Sequence, residues 1–165
     1  MFLEEIFPTP IWGFDLNMDV DSIKYWCYSC MKENPGRVIS NVGGWQSEDY
    51  REFGNTPLTE LVLYIVRESH NIANDIGIPK GDRWIENLWL NINPKYSYNQ
   101  VHVHPEARLS GVFYVSAPEN SGDICFTRSG GYALGTAAPN STRYSSCEWC
   151  YPPKKNRLLI FPAWQ

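Results

Sequence analysis

The chain has 165 residues and a formal net charge of −4, with its Lys and Arg scattered instead of striped. That balance argues against nucleic acid or an anionic membrane surface as partner and favours a small-molecule or peptide substrate. The length fits one domain, 1–165, burying about two thirds of the surface its unfolded form would expose.

The acidic start Met1-Phe2-Leu3-Glu4-Glu5 lacks the basic flank and apolar core of a signal peptide. No run of ~20 apolar residues is available to span a bilayer, so a cytoplasmic, reduced protein is expected. Ile6 to Leu16 mixes β-formers with Pro8 and Pro10, which suits an edge strand or an extended entry segment, because proline cannot donate to a ladder. Asp19 to Glu33 reads as a helix with an Asp cap, apolar residues Ile23, Trp26, Cys27, Cys30 and Met31 at helical spacing, and a stop at Asn34-Pro35-Gly36. A second helix is predicted from Thr56-Pro57 to Gly77, with Leu58, Leu61, Val62, Ile65, Ile72 and Ile76 as its buried stripe. His70 falls inside it without a second histidine one turn on, and is read as structural or exposed.

From Trp84 the pattern changes to period two, with Leu88, Leu90 and Ile92 on one face and Asn87, Trp89, Asn91 and Asn93 on the other. Further strands are predicted at about 100–104, 109–116, 122–126 and 157–161. The stretch Thr127 to Ser146, rich in Gly, Ser, Asn and Thr, reads as a functional lid or a disordered loop. Seven Trp and ten Tyr also favour sheets and the walls of a concave site. Two helices followed by short strands predict an α+β, mainly β architecture, with an N-terminal helical part at 1–83 and a β part at 84–165.

Two of the three histidines stand in Asn99-Gln100-Val101-His102-Val103-His104-Pro105. On a strand, residues two apart point to one face, so His102 and His104 would present two imidazoles side by side, a metal-binding geometry. The alternative is that both are polar positions on a half-buried strand. Four of the five cysteines form Cys27/Cys30 and Cys147/Cys150, which together offer the thiolates of a structural zinc site. Because Cys27 and Cys30 lie in a predicted helix and not in a Gly-containing knuckle, free, partly buried thiols are the favoured state.

Five segments in order carry a family resemblance: Asn87-Leu88-Trp89-Leu90-Asn91, His102-Val103-His104-Pro105, Leu109-Ser110-Gly111-Val112-Phe113-Tyr114-Val115, Ser121-Gly122-Asp123-Ile124-Cys125-Phe126 and Leu158-Leu159-Ile160-Phe161-Pro162-Ala163-Trp164. Together they resemble the iron(II)/2-oxoglutarate-dependent dioxygenase superfamily, and more narrowly a group of unassigned substrate found in marine bacteria and their phages. Phe7-Pro8-Thr9-Pro10-Ile11-Trp12 and Gly43-Gly44-Trp45-Gln46 are similar to that group as well. The resemblance implies a double-stranded β-helix (jelly roll) with the N-terminal helices packed on it, and Fe(II) held by two histidines and a carboxylate. It implies hydroxylation of a substrate coupled to decarboxylation of the cosubstrate 2-oxoglutarate to succinate.

Carried over residue by residue, His102 matches the first metal ligand, while His104 stands where the family places an acidic residue. Glu106 is the nearest carboxylate. Tyr114 matches a tyrosine near the cosubstrate, and Asn91, with Asn93, Tyr96 and Tyr98 behind it, is a further candidate for 2-oxoglutarate. The family's later histidine and its 2-oxoglutarate-binding arginine would follow Phe161-Pro162-Ala163-Trp164. A C-terminally truncated domain is therefore expected, with its last strands missing and an open C-terminal edge that a second copy of the chain, as a homodimer, would cover. Two rivals are a cupin-type metal protein and a non-enzymatic jelly-roll binding module. The cupin pattern is weakened by Arg108 at the position four after His104 and by the lack of a later histidine.

Overall fold

The computed structural model describes residues 1–79, 85–128 and 142–165. The boundary expected at 83/84 and the central part, 129–141, of the polar stretch lie outside the described residues. In chain order the elements are β1 (Trp12–Asp15), α1 (Val20–Glu33), β2 (Asn41–Val42), β3 (Trp45–Gln46), α2 (Thr59–Asp75), β4 (Asn91–Ile92), β5 (Tyr98–Asn99), β6 (Leu109–Phe113), β7 (Ile124–Thr127), β8 (Glu148–Tyr151) and β9 (Arg157–Pro162). The fold is β-rich with two helices and several small antiparallel sheets. The chain divides into two compact units, Met1–Leu16 with Val103–Gln165, and Asn17–His102.

The first unit is organised by β9, the middle strand of a three-stranded sheet of order β1-β9-β6. Leu158 through Phe161 are all buried, as is Ala163, and an apolar run buried on both faces belongs inside a sheet, not at its rim. Trp12 pairs with Ile160 on one side of β9, and Gly111 pairs with Ile160 on the other. The final strand is thus not the open edge expected from the sequence, because both of its sides are hydrogen-bonded. β1, the proline-flanked strand, takes an edge position, and its half-buried Trp12 and Phe14 alternate with exposed Gly13 and Asp15. Asp15 accepts from Arg157 Nε and Lys154 Nζ, both at 2.7 Å, which ties β1 to β9 and to the turn before it. Gly111 allows the close approach of β6 to β9, since a Cβ there would lie 2.8 Å from the Leu159 carbonyl oxygen. β7 and β8 form a separate antiparallel pair whose inner side carries Phe126, stacked edge-on to Phe161 at 4.9 Å and to Tyr151 at 6.0 Å.

In the second unit α1 starts where the sequence places it. Asp19 Oδ1 accepts from the amides of Asp21 and Ser22, satisfying two otherwise orphan donors. Its inner face is Val20, Ile23 and Cys27. The stop at Asn34-Pro35-Gly36 has a tertiary reason: Trp45 Nε1 donates to the Asn34 carbonyl at 3.0 Å, and any Cβ at Gly36 (φ +72°) would lie 2.5 Å from that indole. α2 buries Leu61, Val62, Ser69, Ile72 and Ala73 and ends at Gly77 in the left-handed region. Ile76, expected in its stripe, is exposed because it lies past the last turn. The strand expected from residue 84 is reduced to β4 and a bridge between Leu88 and Tyr50, because Ser47 Oγ replaces a backbone group as acceptor for the Leu90 amide.

Candidate metal centre

The segment bearing the histidines is approached through a polar framework. Arg37 is bonded to Asp49 Oδ1, and Asn87 Nδ2 donates to Asp49 Oδ2 at 3.1 Å. Burial pushes the Asp49 carboxyl up, but the donors from Arg37 and Asn87 outweigh it and hold the group below its ordinary value. Asn41 Oδ1 accepts from the Ile39 amide, and Asn99 Nδ2 donates to Ser40 Oγ. These contacts fix the short β2–β5 pair from which residues 100–104 emerge.

Residues 100–104 are not the strand expected from the sequence. The Gln100 amide donates to Ser40 within the second unit, and the His104 amide donates to Ala163 within the first. The backbone amides at its two ends thus bond to different partners, and Pro105 has no N–H with which to continue a ladder. His102 is exposed and its Nδ1 lies 2.6 Å from the Gln100 carbonyl oxygen. A carbonyl accepts only from a protonated ring nitrogen, so this contact selects the tautomer with Nδ1–H and places the lone pair on Nε2. That is the arrangement by which metal-ligating histidines are commonly oriented. His104 is half-buried and opens a turn closed by the Ala107 amide on the His104 carbonyl. Glu106 stands exposed in that turn. Among the described residues no histidine belongs to a cluster of three potential ligand side chains. Among the described residues the two histidines thus stand without a gathered third ligand.

Tyr114 follows β6 and continues its pairing, donating its amide to Arg157 and accepting from Asn156. Burial, with Asp123 adding to it, pushes the phenol up to about 12. The hydroxyl is therefore a proton donor throughout the physiological range. Asn91 is exposed on β4, opposite Gln46, and Asn93 donates to Asn99 at 3.0 Å. Tyr96 and Tyr98 are exposed. His70 has Nδ1 2.7 Å from the Val66 carbonyl oxygen of its own helix.

The cysteines depart from expectation. Cys125 of β7 and Cys150 of β8 lie directly opposite each other, Cα atoms 4.1 Å apart, and are joined by a disulfide. Cys150 is thereby removed from the proposed four-thiolate zinc set, and the expectation of free thiols holds only for Cys27, Cys30 and Cys147. The spacing of Cys147 and Cys150 misleads because Cys147 precedes β8, while Cys150 lies within the strand, opposite Cys125. Cys125 had no sequence partner at short range, so only the register of β7 on β8 reveals it.

Residues 87–165 match the family model described as "Putative 2OG-Fe(II) oxygenase". Over that segment the chain is similar to the 2OG-Fe(II) oxygenase superfamily. No curated protein matches the chain. The matched segment begins at Asn87, which is bonded to Asp49, and contains His102, His104, Tyr114 and β6 to β9. The superfamily in general uses Fe(II) and 2-oxoglutarate. No helix among the described residues is long and apolar enough to cross a membrane.

Proposed function

We propose that the chain contributes the core of an Fe(II)/2-oxoglutarate-dependent oxygenase of jelly-roll type that hydroxylates a small-molecule or peptide substrate. The single observation that carries this reading is the family match over 87–165, which spans the His-x-His pair together with the strands around it. His102 and His104 would hold the metal, and bound iron would supply oxidative decarboxylation of 2-oxoglutarate coupled to hydroxylation. The residues themselves do three things. His102 offers Nε2 in a tautomer fixed by the Gln100 carbonyl. Tyr114 keeps its proton and donates it to an anionic carboxylate, a charge-assisted bond that is stronger than a neutral one. The Asn91 amide, exposed on β4, would be a further hydrogen-bonding partner for the cosubstrate.

The test is an anaerobic titration of Fe(II) and 2-oxoglutarate, watched for the broad visible charge-transfer band of the bidentate chelate. The band is expected with the unaltered chain and lost in His102→Ala. A chain that binds both components without the band, or shows it undiminished in His102→Ala, overturns the reading.

A further inference from the structure

Among the described residues, one cluster brings three potential metal-ligand atoms within 4.8 Å of one another, and it lies away from the histidines: Cys125, Glu148 and Cys150. Its geometry follows from strand register. Cys125 faces Cys150 and Thr127 faces Glu148, and alternation puts all four side chains on one side of the β7–β8 pair. Phe126, on the opposite side, is buried among Tyr151 and Phe161. Cys125 and Glu148 are exposed and Cys150 half-buried, so the cluster opens to solvent.

We propose that this face is a second metal site, specific for a thiophilic divalent cation of the zinc class, which the Cys125–Cys150 disulfide closes and reduction opens. Two thiolates and one carboxylate are a donor set suited to Zn²⁺, and three protein ligands leave the fourth tetrahedral position for water. Distances agree with that chemistry. A sulfur at ~2.3 Å and an oxygen at ~2.0 Å from one tetrahedral Zn²⁺ stand about 3.5 Å apart, and the Glu148 carboxylate oxygen lies 3.5 Å from the Cys150 sulfur. Two such sulfurs stand about 3.8 Å apart, a separation that two freed thiolates on facing strand positions reach by side-chain rotation alone.

The opening step balances as follows. A dithiol reductant gives two electrons and two protons, the S–S bond breaks, Cys125 and Cys150 become thiols, and the reductant leaves as its own disulfide. The cation then displaces the two thiol protons. Cys147, which precedes β8, is not among the residues whose ligand atoms converge there. Nor does the site depend on the oxygenase reading, since none of its ligands is a histidine.

The experiment uses the full chain with Cys27→Ser, Cys30→Ser and Cys147→Ser, reduced with a phosphine and titrated with Co²⁺ alone. Thiolate-to-cobalt absorption in the near ultraviolet reports sulfur ligation and is blind to a purely histidine-bound ion. It is expected to saturate at one Co²⁺ per chain after reduction, to be absent before it, and to yield to competing Zn²⁺. Glu148→Gln, exposed and leaving both cysteines in place, is expected to weaken Co²⁺ binding by at least about tenfold with the disulfide still able to form. Cys125→Ser is expected to abolish the absorption, with circular dichroism checking that the hairpin persists. The proposal is overturned if the reduced chain shows no thiolate absorption, if that absorption survives Cys125→Ser, or if Glu148→Gln leaves the affinity unchanged.

Discussion

His102 and Tyr114 make different contributions to the proposed site, and they separate experimentally. His102 is exposed, and its Nδ1 lies 2.6 Å from the carbonyl oxygen two residues earlier. Replacement by Ala would therefore remove the proposed metal ligand from an exposed position, without opening a buried cavity. The Fe(II)–2-oxoglutarate band is expected to vanish while the thermal midpoint, followed by circular dichroism, stays within a few degrees, since exposed substitutions usually change stability by less than about 0.5 kcal/mol. Tyr114 is half-buried, and its ring is retained in Tyr114→Phe, so only the hydroxyl is lost. A hydrogen bond to a charged group is worth about 1.5–3 kcal/mol. The KM for 2-oxoglutarate is accordingly expected to rise by roughly ten- to hundredfold in steady-state assays with kcat little changed, because the bond is made in ground and transition states alike. With the phenol pushed up to about 12, Tyr114 itself should impose no pH dependence on that KM between about pH 6 and about pH 9.

Between residues and molecule stand the strands, and there β9 dominates. Gly111→Ala on β6 would set a Cβ 2.8 Å from the Leu159 carbonyl oxygen, a backbone atom that cannot rotate away. The β6–β9 ladder must shift, and a loss of about 1–3 kcal/mol is expected in denaturant unfolding, as for overpacked cores. On the other side of β9, Arg157 first and Lys154 second hold the Asp15 carboxyl well below its ordinary value of 3.8. A carboxyl depressed by folding contributes stability above its unfolded value and loses it as the pH falls through the folded one. Asp15→Asn should therefore flatten the acid limb of a stability-against-pH curve below about pH 4, and added salt should shrink the difference, since the group is fully exposed. The sequence makes β9 legible as a strand through its apolar run, but not as the middle one, because neighbours at Trp12 and Gly111 are choices of long-range register. α1 is legible to the residue because its cap is local: Asp19 and the two amides it accepts from lie within four residues. The expected strand at 100–104 fails for the opposite reason, as the amides of Gln100 and His104 find partners far along the chain. For the site, the histidine pair can be read directly, whereas the Cys125–Cys150 pairing depends on strands separated by 25 residues of sequence.

At the scale of the whole molecule that disulfide is a covalent constraint between β7 and β8. Closing a loop of sequence separation 25 removes chain entropy from the unfolded state worth about 3.5 kcal/mol on the loop-closure account. Against a total stability of about 5–15 kcal/mol for a domain-sized chain, that share is large, but it does not decide whether the protein folds. Phe126 packs on Phe161, and β7 is hydrogen-bonded to β8, through contacts that do not involve the sulfurs. Reduction is thus expected to lower the unfolding free energy by about 2–4 kcal/mol in guanidinium titrations while leaving far-ultraviolet circular dichroism at zero denaturant nearly unchanged. A cation that binds only the folded, reduced form must then restore stability in proportion to RT ln(1 + [L]/Kd). Zn²⁺ at a hundred times its Kd should recover about 2.7 kcal/mol of that loss, and the recovery should be absent in the oxidised chain, where the thiolates do not exist. The same pair of strands would then be held shut by a covalent bond under oxidising conditions and by a coordinated ion under reducing ones. Reduction that collapses the circular dichroism signal at zero denaturant would show instead that the sulfur bridge, and not the packing of Phe126, holds β7 and β8 in place.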